Sequence, residues 1–155
     1  MADGAKSRPP RTLKQRAIAL LARREYARAE LRERLLASGA SRDEVDATLD
    51  ELAGLGYLSD ERFARAVVRQ KEGGYSKRAI GAALKAKGVT AEASAAAVAE
   101  IDTDDHAALV ALWRRRFGRA PENDREKARQ VRFLQSRGFS LSAIFRLLRE
   151  PPAAS

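Results

Sequence analysis

A chain of 155 residues, 45% apolar, 6% aromatic and 33% charged, has room for one domain or a small array of modules, with a core drawn from Ala, Leu and Val. It has no cysteine, which excludes disulfides and thiolate metal sites, and no apolar run approaches the roughly 18 residues of a membrane span. The net charge of +9 points to a polyanionic partner, with nucleic acid the first candidate.

Ala, Leu, Arg and Glu dominate, and no alternating β-branched run appears, so every element reads as helix. The opening MADGAKSRPPR lacks the apolar stretch of a secretory signal, and residues 1–10 read as a disordered basic arm. Residues 11–58 then hold helices near 12–24, 27–38 and 42–54, the last opened by a Ser41–Glu44 capping-box pair. Residues 59–102 hold helices near 60–71, 76–87 and 91–101, with Ser59 and Ser76 as N-caps. Residues 103–150 hold helices near 104–117, 123–137 and 141–149, the first capped by Thr103 or Asp104. PPAAS, 151–155, reads as a disordered tail.

These segments share a register. Gly39, Gly88 and Gly138 each follow an amphipathic helix, where a left-handed C′ glycine belongs. Four residues before them stand Leu35, Leu84 and Leu134; one residue after, Ala40, Val89 and Phe139; then the hydroxyls Ser41, Thr90 and Ser140. Ten residues past each glycine stands Leu49, Val98 or Leu148. The pattern predicts an all-α protein of three tandem three-helix repeats. A unit this small buries too little apolar area alone, so the repeats are expected to lean on one another in an elongated, curved array.

Charge alternates along the chain: net +6 over 1–24, −5 over 25–62, +6 over 63–91, −5 over 92–112 and +8 over 113–149. The acidic bands either cap helices and neutralise neighbours or meet basic surfaces of a partner. Arg69 and Lys71 close the helix near 60–71, before a Gly73–Gly74 break. In the next helix, Ile80, Ala83 and Leu84 share one face, while Lys77, Arg78, Gly81 and Lys85 gather on the other. No acid stands four residues from any of these three cations. A solvated face accounts for such a stripe; an approaching polyanion accounts for it better. Gly81, in its middle, is either neutral or a point of close approach for a partner's backbone.

In the third unit Arg114, Arg115 and Arg116 collar a C-terminal turn and Arg119 continues the charge. They complement the helix dipole and form a candidate phosphate clamp. Arg129, Arg132 and Arg137 lie toward the C-terminal end of the following helix. His106, Leu109, Val110, Trp113 and Phe117 line up as a core face, which predicts a buried, hydrogen-bonded His106. Tyr57 and Tyr75 each follow a glycine at a helix junction and read as hydrophobic plugs more readily than as partner contacts. No catalytic constellation, phosphate-cradling glycine loop or cofactor motif appears. The acids at Asp43, Glu44 and Asp46 and at Asp102, Asp104 and Asp105 stand at helix starts, which disfavours a metal-dependent nuclease.

GYLSDERFARAVVRQKEGGYSKRAIGAALKAKGV, residues 56–89, resembles the central signature of the RecX family: Tyr57, Leu58, Ser59, Asp60, Arg62 and Phe63, then Gly-Tyr, a basic helix, and Leu84, Lys87, Gly88 and Val89. KARQVRFLQSRGFS (127–140) and REYARAELRERLLASG (24–39) resemble the family's third and first units. The resemblance implies a cytoplasmic, monomeric, non-enzymatic regulator without a cofactor. Such a protein binds the RecA recombinase on DNA and restrains filament extension, strand exchange, ATPase and co-protease activity, with consequences for repair and the SOS response. It also implies non-specific binding to single- and double-stranded DNA. The alternative is a stand-alone DNA-binding protein using the helix pair 76–87 and 91–101. The second of these carries Glu92, Ser94 and Glu100 and no base, so such binding would not be sequence-specific.

Overall fold

The computed structural model describes residues 9–153; the predicted basic arm lies outside them except for residues 9 and 10, and of the predicted tail residues 154 and 155 lie outside. Among the described residues there are nine helices and no strand: α1 (Leu13–Arg23), α2 (Arg28–Leu36), α3 (Arg42–Gly54), α4 (Asp60–Lys71), α5 (Lys77–Ala86), α6 (Ala91–Ala99), α7 (Asp105–Arg116), α8 (Asp124–Ser136) and α9 (Leu141–Arg149). They form three three-helix domains in tandem, and the chain divides into two compact units, Met1–Phe63 and Ala64–Ser155.

In the first unit α1, α2 and α3 pack around Ala17, Leu31, Leu35, Val45, Leu49 and Leu52, with Tyr26 and Leu58 closing the core. The capping box stands at Thr12, not at Ser41. Thr12 Oγ1 accepts from the Gln15 amide at 3.1 Å and Gln15 Oε1 accepts from the Thr12 amide at 2.9 Å. Ser41 accepts from the Glu44 amide at 3.2 Å, but Glu44 does not return the bond. Five ion pairs tie this unit together: Lys14–Glu51, Arg24–Glu30, Arg28–Asp50, Arg32–Asp46 and Arg62–Glu25. The Arg32 hydrogen bond holds the Asp46 carboxyl below its usual range, against a small opposing effect of burial. Asp60 accepts from the Arg28 amide at 2.7 Å and so completes the N-terminus of α2. Six of the ten acids at 25–62 are thus engaged within their own unit, which leaves Glu33, Asp43, Glu44 and Glu61 as the carboxylates that could meet a basic partner.

The repeat register has a geometric cause. Gly39, Gly88 and Gly138 all have positive φ, at 95°, 86° and 93°. After the latter two, the amides of Val89 and Phe139 reach back to the carbonyls of Leu84 and Leu134 at 3.1 and 3.4 Å. This closure uses the residue after the glycine and the leucine four before it, the positions that recur in the sequence. Gly56 (φ 84°) repeats the motif after α3, with the Tyr57 amide on Leu52 O at 3.0 Å.

In the second unit α5 packs on α6, and α9 on α7 and α8. Leu109, Leu112, Trp113, Leu134, Phe139, Ile144 and Leu147 form the core of the third domain. Trp113 Nε1 donates to Gln130 Oε1 at 2.9 Å, and Gln130 Nε2 donates to Arg119 O at 3.1 Å, so a buried polar bridge anchors the α7–α8 loop. The second and third domains meet at the start of α5. There the Ser76 amide donates to Arg137 O at 2.9 Å, and the Lys77 amide to Asp105 Oδ1 at 3.0 Å. Gly138 lies so close to Ser76 and Ala79 that any side chain at 138 would overlap them.

Candidate polyanion-binding surface

All twelve predicted contact residues lie in the second unit. Arg69, Arg78, Lys85, Arg114, Arg115, Arg116, Arg119, Arg129 and Arg132 are exposed; Lys71, Lys77 and Arg137 are half-buried. Among the described residues none of the twelve forms an ion pair, while Arg65 pairs with Glu100 at 3.8 Å. Residues 64–155 hold eighteen bases against ten acids, whereas residues 1–63 hold twelve against eleven. Residues 1–63 are therefore close to neutral, and residues 64–155 carry a net charge of +8.

Six of the twelve are gathered in one cluster, three of them mounted on aromatic rings. Lys71 Nζ lies 4.3 Å and Arg137 Cζ 4.6 Å from the Tyr75 ring centroid. Arg137 and Arg116 each lie 4.9 Å from the Phe133 centroid, and Phe117 meets Phe133 edge-on at 5.6 Å. Arg115 donates to Gly73 O at 3.2 Å. Arg116, Arg119 and Arg129 line a cleft of about 170 Å³ beside Gln130. Rings hold guanidinium and ammonium groups in place without cancelling their charge, unlike carboxylates. Tyr75 is thus neither a plug nor a free stacking platform but a mount for cations. Tyr57, 51% exposed, is no plug either.

The remaining cations stand apart from this cluster. Arg78 lines a separate cavity of about 370 Å³ with His106, Arg146, Asp105 and Phe139. Arg114 donates to Ala153 O at 3.2 Å. Lys85, Arg69 and Arg132 have no side-chain hydrogen bond, ion pair or ring contact among the described residues. His106 is exposed and without a hydrogen bond, contrary to the buried histidine its helical face suggested. It occupies the first turn of α7, where the apolar stripe has not yet reached cover. Gly81 is half-buried, with the α6 residue Val98 3.8 Å from where its Cβ would stand, so it serves the α5–α6 contact and offers nothing outward. Arg146 and His106 were not legible as partners of Arg78, because only the packing of α9 against α7 brings them together.

The acids at 102–105 have local duties. Asp104 caps α7 through the Ala107 amide at 2.7 Å, and Asp105 accepts from Lys77. Among the described residues no three His, Cys, Asp or Glu side chains gather as metal ligands, and no helix is long and apolar enough to cross a membrane.

Fold and surface define a tandem three-helix-repeat protein with an unneutralised cationic face mounted on aromatic rings. Family models match in register: RecX first three-helix domain over residues 14–52, second over 59–98 and third over 102–148. The chain belongs to the RecX family. Proteins called regulatory protein RecX from Ralstonia pickettii and Chromobacterium violaceum are 39% and 41% identical to it. The first alignment covers 91% of this chain and 89% of the relative, the second 89% and 90%. The crystal structure of RecX from Lactobacillus salivarius shares the fold, with a TM-score of 0.68 at 20% identity over 89% of this chain and 93% of that one. The relatives are named for regulation, not for catalysis.

Proposed function

We propose that this chain regulates the RecA recombinase in the cytosol by binding the RecA–DNA filament. In this reading it limits filament extension, strand exchange, ATP hydrolysis and co-protease activity, and so modulates recombination, DNA repair and the SOS response. Membership of the RecX family supports the regulatory role. The observation that carries the binding mode is the division of charge: residues 64–155 hold eighteen bases against ten acids, residues 1–63 twelve against eleven, and none of the twelve candidate contacts forms an ion pair among the described residues. A surface of this kind attracts phosphate without reading bases, so contact with single- or double-stranded DNA is non-specific. The protein acts as a monomer and needs no cofactor.

Replacing Lys77, Arg78 and Lys85 together by Glu tests the α5 part of the surface. Binding of the labelled chain to RecA filaments on single-stranded DNA is expected to weaken by about tenfold or more at moderate salt. Unchanged binding removes α5 from the contact.

A further inference from the structure

The turn Gly73–Gly74–Tyr75 gathers three cations from three helices. Lys71 closes α4, Arg115 lies in the last turn of α7, and Arg137 caps the C-terminus of α8. Arg115 is tethered to Gly73 O, while Lys71 and Arg137 both pack on the Tyr75 ring. Arg137 Nη1 and Arg115 Nη2 lie 3.7 and 4.0 Å from the single point where a Gly74 Cβ would stand. No carboxylate pairs with any of the three. Like charges converge here without a counter-ion, although the neighbouring acid Glu72 is exposed and nearby in sequence. Lys71 O lies 3.7 Å from the same point, so both guanidinium groups line the turn at ordinary contact distance beside the bare glycine.

We propose that this turn is a phosphate-binding site for the nucleic-acid backbone, with Arg115 and Arg137 as the two arms and Lys71 as the flanking charge. The proposal rests on the DNA-contacting part of the function above and names where that contact is made. Two guanidinium groups gathered at one turn, with an ammonium beside them and no carboxylate between, suit a phosphate. A nucleic-acid strand, with a charge at every nucleotide, can meet this turn and at the same time supply Arg116, Arg119 and Arg129 further along the cluster; an isolated carboxylate cannot. The Tyr75 ring is already engaged by cations, so the site takes backbone and not a stacked base. Binding through it is indifferent to base composition and sensitive to salt.

Gly74 supplies the test. Its φ lies outside the left-handed region and a Cβ there makes only ordinary contacts, so a side chain is tolerated. Gly74→Glu places a carboxylate between Arg115 and Arg137, where it pairs with them and occupies the site; Gly74→Gln fills the same space without charge. The full-length chain is titrated with single-stranded oligothymidylate and oligodeoxyadenylate between about 50 and 200 mM salt, and thermal melts are followed in parallel. The Glu variant is expected to lose about tenfold in affinity for both strands, with a salt slope shallower by roughly 1.4 for two lost phosphate contacts, and to melt no lower than the Gln variant. The Gln variant stays within about threefold of the parent. Arg115→Gln, which also gives up the bond to Gly73 O, loses one contact and shows about half that change in slope.

Equal affinities for the Glu and Gln variants, with Arg115→Gln matching the parent, overturn the site while leaving DNA binding elsewhere on the surface intact. A Glu variant that binds oligonucleotide normally but not RecA filaments also overturns it, since the turn would then hold acidic protein. If the parent chain binds neither oligonucleotide nor filament, the functional reading fails first and the site falls with it.

Discussion

Gly138→Ala offers a sharp test of how the second and third domains are joined. Gly138 follows α8 with φ 93°, and a methyl group there costs about 1–2 kcal/mol in backbone strain alone. The same substitution at Gly39, φ 95°, meets nothing within 4 Å and should cost only that amount. At Gly138 the new Cβ would overlap Ser76 Oγ and come within 2.5 Å of Ala79 Cβ. Ser76 is 2% exposed, caps α5 through the Ala79 amide, and donates its own amide to Arg137 O, so it has little room to retreat. Overpacking of this kind adds about 1–3 kcal/mol, which brings the expected loss for Gly138→Ala to roughly 2–5 kcal/mol. Urea unfolding read by circular dichroism compares the two variants. Trp113, the one tryptophan of the chain and buried in the third domain, reports the Gly138 variant separately by fluorescence. If Gly138→Ala costs no more than Gly39→Ala, the close seating of α8's end on α5 is wrong.

Three further substitutions probe polar groups. Gln130→Ala strips the buried Trp113 N–H of its acceptor and the α7–α8 loop of its anchor, and should cost about 1–3 kcal/mol in urea unfolding; a loss below about 0.5 kcal/mol would mean the bridge is dispensable. Ser94 Oγ is buried and has no hydrogen-bond partner, so Ser94→Ala should raise stability by about 1 kcal/mol, and a loss would reveal an acceptor that the packing of α6 conceals. Asp46 gives a pH dependence. Its folded carboxyl titrates below the ordinary 3.8 because Arg32 donates to it, so the stabilisation is present above that value and is lost as pH falls through the lower folded one. Asp46→Asn should therefore be less stable than the parent at neutral pH, with the gap closing below pH 3.8; a gap constant with pH would remove the pairing as its cause.

Features whose cause is local were legible in the sequence. The glycine–leucine–hydroxyl register identified the repeats because a positive-φ glycine, the carbonyl it closes on and the next N-cap all fall within a few residues. Asp104, Ser76, Thr90 and Ser140 cap their helices for the same reason. Helical projection also separated the buried Ile80 and Leu84 from the exposed Arg78 and Lys85. It failed where a neighbouring helix decides the outcome. Gly81 shares a sector with cations yet faces Val98, and His106 shares a sector with Leu109 yet stands beyond the end of the core. The ion pairs Lys14–Glu51 and Arg62–Glu25 bridge 37 residues each and left no trace in the linear charge pattern, so the acidic band looked more available than it is. The meeting of Arg137 with Tyr75 is equally non-local, and it changed Tyr75 from a plug into a mount.

The most direct test of the regulatory account is ATP hydrolysis by RecA on single-stranded DNA with this chain added below stoichiometry. Action on the filament predicts that hydrolysis is suppressed well beyond the molar ratio and stays suppressed when DNA is added in excess. Recovery on adding DNA would contradict it, and would mark the chain as a competitor for DNA alone.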